Sequence, residues 1–194
     1  MTVDTLVLAS QSPRRRQMLA ELNIPFEVDV ANIDEAKRQE ETPEQYVLRN
    51  SLEKAVAVAK RTSLSSPVII GADTVVVLEE KLLEKPSSVA DAKNTLSMLS
   101  GSVHIVMSAF VIVNGEGLEL DSHLAKTEVE FGQLSSKDIS DYVASGEPMD
   151  KAGSYGIQGR AGRFVKRVSG SYTGVVGLPM SELTDSLRKL GFIG

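Results

Sequence analysis

Apolar residues follow two spacings along this chain, and together these predict strands and helices in alternation. Short runs rich in Val, Ile and Leu predict strands over residues 3–9, 26–30, 68–78, 103–113, 118–131 and 164–168. Apolar positions three and four residues apart predict helices over 13–22, 43–61, 89–99, 135–144 and 179–190. This order is typical of an α/β protein, so we expect a mixed twisted sheet flanked by helices.

Capping and turn residues set the limits of several elements. Ser12 followed by Pro13 indicates one helix start, and a capping box that begins at Thr42 indicates another. The dipeptide Asn114-Gly115 predicts a tight hairpin between the two strands that flank it. The glycine-rich segment 149–163 is predicted to be a loop.

Composition and charge narrow the class of protein. The 194 residues suit one domain, and an apolar content of 42% is enough for a core. A net charge of -5 argues against a general nucleic-acid surface, which needs a broad basic face. The chain has no cysteine, which excludes disulfides, thiolate metal sites and a cysteine nucleophile. Without a membrane-length apolar run or a signal-peptide pattern, we expect a cytoplasmic protein with no membrane partner.

A basic helix start follows the first predicted strand. Arg14 and Arg15 lie in the first helical turn, where the helix dipole disfavours cations. The free N–H groups of such a turn attract anions, and Ser10 and Ser12 add hydroxyl groups beside them. An anionic ligand, such as a phosphate chain, accounts for the arginines. A solvated basic helix start is the alternative.

Asp73 stands between two runs with strong β propensity, 68–70 and 75–78. An ionised carboxylate inside a buried strand is costly unless it has a partner. A metal ion, a role in proton transfer or a lysine would compensate. Alternatively, Asp73 ends a strand and closes a turn after Gly71-Ala72.

Two acidic residues and one lysine become candidate site residues when they are considered together with Asp73. Asp34 and Glu35 lie in an acidic loop, and their oxygen ligands suit Mg²⁺ or Mn²⁺ together with substrate phosphates. Lys54 lies in the helical row next to the predicted apolar stripe, where its ammonium reaches either a cleft or the solvent. That stripe consists of Leu48, Leu52, Ala55 and Ala59.

Three further polar residues carry weaker signals in the sequence. Lys85, directly before Pro86, is by itself an exposed turn lysine. Gln158 carries a paired donor and acceptor that suit the edge of a base, or it belongs to a flexible surface loop. His104, in an apolar strand and without metal-ligand spacing, is interpreted as structural.

Seven short motifs are spread in order over nearly the whole chain. They are Ala9-Ser10-Gln11-Ser12-Pro13-Arg14-Arg15, Asp34-Glu35, Glu53-Lys54-Ala55, Gly71-Ala72-Asp73-Thr74, Glu84-Lys85-Pro86, the segment 150–159, and Val176-Gly177-Leu178-Pro179. Each is weak alone, but together they resemble the Maf-type nucleoside triphosphate pyrophosphatases, also called septum-formation inhibitor-like proteins.

The resemblance implies a fold, an activity and a set of site residues. It implies one domain over 1–194 with two lobes around a central cleft, a homodimer, and hydrolysis of a nucleoside triphosphate to the monophosphate and pyrophosphate. It also implies a divalent metal cation, Mg²⁺ or Mn²⁺, with Glu35 and Asp73 as ligands. By the family pattern, Asp73 accepts a proton, and Lys54 and Lys85 belong to the catalytic group. The implied substrate-binding residues are Ser10, Ser12, Arg14, Arg15, Thr74 and Gln158.

Substrate choice follows from two of these positions. Thr74 and Gln158 resemble the branch that acts on dTTP and UTP, and differ from the sister branch that acts on 7-methyl-GTP. Gly174 departs from the asparagine of many relatives, which puts the role of its loop in question. Two alternatives remain: a nucleotide-binding regulator of cell division with little catalysis, and an enzyme for a modified pyrimidine nucleotide such as a methylated uridine triphosphate.

Overall fold

A computed structural model describes residues 4–194, so Val3 of the first predicted strand lies outside the described residues. The strands are β1 (Thr5–Leu8), β2 (Phe26–Val28), β3 (Pro67–Leu78), β4 (Lys81–Leu83), β5 (Val103–Asn114), β6 (Glu119–Phe131) and β7 (Val165–Ser169). The helices are α1 (Pro13–Ala20), α2 (Pro43–Ala59), α3 (Val89–Leu99), α4 (Ser136–Ala144), α5 (Tyr172–Val176) and α6 (Met180–Lys189). Three short 3₁₀ segments cover Glu147–Asp150, Ala152–Ser154 and Arg160–Phe164.

The strands form one mixed sheet, in the order β2-β1-β3-β5-β6-β7 with β4 paired to β3. β1 runs parallel to β2 and to β3, whereas β4 is antiparallel to β3 and β7 is antiparallel to β6. Parallel neighbours need a crossover, and α1 and α2 lie in the two connections that join these strands. The expected α/β class with a mixed sheet flanked by helices is confirmed.

The chain divides into two compact units, each with its own core. Of the described residues, the first contains 4–73 together with Ser108–Ala125 and Gly177–Gly194. The second contains Thr74–Met107 and Lys126–Val176. The core of the first includes Val7, Ala55, Val58, Ile69 and Val111, and the core of the second includes Leu96, Leu99, Phe131, Tyr142 and Phe164.

In the first unit, α2 packs onto β3 at unusually short range. A Cβ at Gly71 would lie 2.0 Å from the Ser51 carbonyl oxygen and 2.8 Å from the Ala55 amide nitrogen, so only glycine fits here. The contact involves Ser51, from the row that contains Lys54, and Ala55, from the predicted apolar stripe, so both rows lie close to the sheet. Of the predicted stripe, Ala55 and Ala59 are buried, Leu52 is half-buried against the core, and Leu48 is half-buried.

Other differences from the predicted elements have local causes. β3 continues without a break through Asp73. Asn114-Gly115 does not form a two-residue turn: the Asn114 N–H donates to the Leu118 carbonyl over 2.9 Å, and the positive φ falls on Gly117. The short elements β4 and α5 were not predicted, since a few residues carry little periodic signal. Over the described residues, the helices are too short or too polar to cross a membrane.

Candidate active site

Asp73 and Lys54 form a buried ion pair in the first unit. Both residues are only 8% exposed, and the Lys54 Nζ lies 2.8 Å from Asp73 Oδ1. Asp73 is held by β3, and Lys54 is presented by α2 at the level where Gly71 allows close approach. The ammonium is the compensating partner that a strand carboxylate requires. The structure thus excludes both the turn-closing alternative for Asp73 and the solvent-directed alternative for Lys54.

Asn50 completes the surroundings of the Asp73 carboxylate. Its fully buried side chain donates from Nδ2 to Asp73 Oδ2 over 3.2 Å, so both carboxylate oxygens accept a hydrogen bond. Asn50 Oδ1 accepts in turn from Arg49, which also pairs with Glu41 at 2.6 Å. The hydrogen bond from Arg49 lowers the pKa of Glu41 to about 2. Asn50 was not among the predicted site residues, although its position one turn before Lys54 on the same helix was a signal available in the sequence.

Glu35 is the third member of this cluster. Its Oε1 lies 3.1 Å from the Lys54 Nζ, and its side chain is about half exposed. One ammonium therefore contacts two carboxylates, one buried and one open to solvent. Within the described part of the chain, no group of three or more His, Cys, Asp and Glu side chains is arranged to hold a metal ion by itself. Asp34 is exposed and accepts a hydrogen bond from the Ala36 N–H, as in a local turn.

The basic helix start combines a cap with a buried arginine. Ser12 caps α1 by accepting from the Arg15 N–H, as the sequence predicts. The Arg15 guanidinium is buried and donates to the carbonyls of Ala72 (2.9 Å) and Gly177 (2.8 Å) and to the Ser10 hydroxyl (3.2 Å). Burial lowers the pKa of Arg15, and the charge of Asp73 opposes that effect. Arg15 thereby ties three separate chain segments together behind the loop that precedes α1.

The neighbouring Arg14 and Ser12 are placed differently. Both side chains are half-buried at the first turn of α1, so they keep access to solvent next to the N–H groups of that turn. Pro13 takes the first helical position, which needs no N–H donor. This loop offers hydroxyl, guanidinium and backbone donors in one short segment, a combination that suits an anion.

The remaining candidate residues belong to the second unit. Thr74 follows Asp73 on β3 and is half-buried, and Lys85 is exposed between β4 and α3. Gln158 is exposed in the segment between the second and third 3₁₀ segments. The glycine-rich segment 149–163, predicted to be a loop, contains much regular 3₁₀ structure and differs in this from an irregular surface loop.

His104 lies in the core of the second unit. Its Nε2 is 2.7 Å from the Tyr155 hydroxyl, and its ring meets Phe131 edge to face with centroids 5.1 Å apart. Burial lowers the pKa of His104 to about 4, so the ring is neutral near pH 7. The structural interpretation of His104 agrees with this environment.

The fold and the site define a class: an α/β protein with a mixed sheet in which a buried aspartate–lysine pair lies on β3 and α2 beside a capped basic helix start. A family model described as Maf-like protein matches residues 5–190. The chain belongs to this family, and the resemblance drawn from its motifs is confirmed.

Similar proteins agree with this assignment. A protein of Vibrio cholerae named dTTP/UTP pyrophosphatase is 51% identical over 189 residues, covering 97% of this chain and 100% of that protein. A Salmonella typhimurium protein of the same name is 49% identical over 183 residues, covering 94% of this chain and 91% of its own. A solved structure of a HAM1 protein from Coxiella burnetii shares the fold, with a TM-score of 0.54, 17% identity, and coverage of 96% of this chain and 100% of that one.

Proposed function

We propose that this protein hydrolyses dTTP and UTP to the nucleoside monophosphate and pyrophosphate. The observation that carries the proposal is the cluster of Asp73, Lys54 and Glu35, in which one ammonium contacts a buried and an exposed carboxylate. Two relatives named dTTP/UTP pyrophosphatase, each about half identical over nearly the whole chain, support the choice of reaction and substrate.

The reaction adds a water molecule to a phosphorus of the α–β anhydride and breaks the bond to the leaving phosphate oxygen. In this proposal Asp73 accepts the proton of that water, because its carboxylate is buried and held in place at both oxygens by Lys54 and Asn50. A fixed acceptor needs no reorganisation when the proton moves. Lys54 compensates the charge of Asp73 before the transfer, and its ammonium still has the Glu35 carboxylate as a partner once Asp73 is protonated.

Positive charge for the phosphate chain comes from several side chains. In the proposal, Arg14, Ser10 and Ser12 bind phosphate oxygens at the start of α1, and Lys85 adds a further cation. Arg15 holds the backbone of the site in place and adds positive charge to it without binding the phosphates directly, because its donors are directed at the carbonyls of Ala72 and Gly177. This division gives the two adjacent arginines different roles.

A divalent cation fits the donor set of the cluster. Asp73 and Glu35 supply hard carboxylate oxygens, and Mg²⁺ is commonly bound by one or two carboxylates plus substrate phosphates. When bound, the ion would neutralise phosphate charge and lower the pKa of a water ligand. We propose Mg²⁺ or Mn²⁺, held by these two side chains.

Base selection is assigned to Thr74 and Gln158. A hydroxyl and an amide offer both donors and acceptors, as the edge of a pyrimidine requires. We further propose that the chain is one functional domain and that it acts as a homodimer in the cytoplasm without nucleic-acid or membrane partners.

The deciding experiment is pyrophosphate release from a panel of nucleoside triphosphates with Mg²⁺, with Mn²⁺ and with chelator. We expect metal-dependent turnover that favours dTTP and UTP. Asp73→Asn should fold normally but lose at least about 100-fold in kcat, the range for removal of a positioned base. Asp141→Asn changes an exposed aspartate of α4 and serves as the matched control.

Three outcomes would contradict the proposal in separate ways. Absence of turnover from folded protein would exclude the enzyme and favour a nucleotide-binding regulator. Preference for 7-methyl-GTP would overturn the assignment of Thr74 and Gln158 while keeping the chemistry. Near-normal kcat in Asp73→Asn would remove Asp73 from the reaction.

A further inference from the structure

The loop that carries Gln158 is held by one side chain outside it. Glu147, half-buried in the first 3₁₀ segment, reaches the loop with both carboxylate oxygens. Its Oε2 accepts from the Arg160 N–H over 3.1 Å, and its Oε1 accepts from the Tyr142 hydroxyl over 3.0 Å. The Gly156 N–H donates to the same hydroxyl over 3.2 Å. Backbone donors on both sides of Gln158 are therefore connected to one carboxylate.

The loop backbone also packs directly on this carboxylate. A Cβ at Gly159 would lie 2.1 Å from Glu147 Oε1, so the chain next to Gln158 approaches as closely as a glycine permits. On the other side of Gln158, a Cβ at Gly156 would lie 2.7 Å from Lys151 Cε. The Lys151 ammonium donates to the Glu147 carbonyl over 2.8 Å, which fixes the segment where the loop begins.

The direction of the Tyr142 hydrogen bonds follows from its two partners, since the Gly156 N–H can only donate and the Glu147 carboxylate oxygen accepts. Burial raises the pKa of the Tyr142 hydroxyl above its usual value; the Gly156 N–H lowers it, and the carboxylate of Glu147 raises it further. The hydroxyl therefore keeps its proton, donates it to Glu147 and accepts from Gly156. Hydrogen bonds to a carboxylate are stronger than those between neutral groups, so both oxygens of Glu147 are strong acceptors in this network.

We propose that Glu147 is the positioning residue that holds Gln158 ready for the pyrimidine base. The inference rests on the proposed function, because it assumes that Gln158 contacts the base. An exposed amide on a free loop would lose conformational entropy when a substrate bound. Glu147 fixes the backbone on both sides of Gln158 beforehand, so the binding step needs less ordering.

Glu147→Gln tests this role, and the KM and the base preference are the two readouts that a merely structural residue would leave unchanged. The amide still accepts from Tyr142 with one atom, but its NH₂ group faces the Arg160 N–H and cannot accept. We expect the Arg160 amide to exchange with solvent about tenfold faster, and trypsin to cut sooner after Arg160. The KM for UTP should rise about tenfold, more than kcat falls, and the preference for UTP over CTP should shrink.

Gly159→Ala provides a second, independent variant. The three atoms nearest to its added methyl group belong to the end of the Glu147 side chain, which can swing away, so the protein should fold. It displaces the carboxylate without removing it, and we expect the same rise in KM and the same loss of preference. Glu128→Gln, an exposed glutamate on β6, is the matched control and should resemble the unsubstituted protein.

The possible failures are distinguishable. If the unsubstituted protein turns over no pyrimidine nucleotide, the proposed function is wrong, and the positioning role of Glu147 is then wrong as well. If that protein is active and Glu147→Gln loosens the loop without changing KM or base preference, only the positioning role is overturned. Unchanged amide exchange at Arg160 in both variants would overturn it as well, because the network would not be what orders the loop.

Discussion

Gly71→Ala is the substitution whose cost can be worked out most directly from the structure. The added Cβ would lie 2.0 Å from the Ser51 carbonyl oxygen, whereas ordinary contacts begin at 3.4 Å. Both obstructing atoms, the Ser51 oxygen and the Ala55 nitrogen, are helix backbone and cannot rotate away. Helix α2 must therefore move from β3 by about 1.4 Å, or the strand must distort.

The expected loss of stability lies near the upper end of the range for overpacking. That range is about 1–3 kcal/mol, and we expect about 3 kcal/mol because no side chain can yield. For a chain of this size, such a change lowers Tm by roughly 6–12 °C. Urea unfolding followed by circular dichroism measures the free energy, and a thermal melt measures the Tm.

The same displacement should impair activity beyond the loss of folded protein. Lys54 lies on α2, and its 2.8 Å contact with Asp73 depends on the close approach at Gly71. A misplacement of about 1 Å costs on the order of 100-fold in rate when it affects reacting groups. Pyrophosphate release from the fraction that is folded at 20 °C should fall by about that factor.

Gly132→Ala is the matched control. Its nearest neighbour would be Lys166 Cε at 3.4 Å, an ordinary contact with a flexible side chain. We expect its Tm and kcat to stay close to those of the unsubstituted protein. If Gly71→Ala also melts within about 1 °C of that protein and keeps its kcat, the close packing of α2 on β3 does not set the geometry of the site.

Three further predictions concern buried polar groups. Lys54→Met should destabilise the protein by about 3–5 kcal/mol in urea unfolding, more than Asp73→Asn does, because it leaves a buried carboxylate without its cation; equal losses would contradict this. Since burial lowers the pKa of His104 to about 4, the unfolded chain takes up a proton first as pH falls below about 6.5. The stability that the neutral His104 ring contributes is complete above that pH and should decline by about 2 kcal/mol between pH 7 and pH 5. His104→Gln should remove this part of the pH dependence of the unfolding free energy. Arg15→Lys should lower stability by about 1–3 kcal/mol, because one ammonium cannot replace a guanidinium that donates to Gly177 and two other acceptors; an unchanged urea midpoint would show that these bonds contribute nothing.

Local sequence features placed each predicted helix start within one residue and each predicted helix end within two residues of its observed position, although they did not reveal β4 or α5. The bounds of α3 were predicted as found, and the caps at Ser12 and Thr42 start their helices as expected. Such features depend on residues within one or two turns of each other, so they can be recognised from the sequence alone. The order of the motifs also determined the family.

The contacts between distant residues follow from long-range packing. Sequence showed that Asp73 needs a partner, but not that the partner is Lys54, 19 residues away, or that Asn50 occupies the second oxygen. The close approach of α2 to β3 depends on Gly71, which lies in another element and meets Ser51 and Ala55 of the helix. Arg15 bonds to Gly177 across 162 residues. No local pattern encodes these pairings, because they arise only when distant backbone segments are brought within a few ångströms of one another.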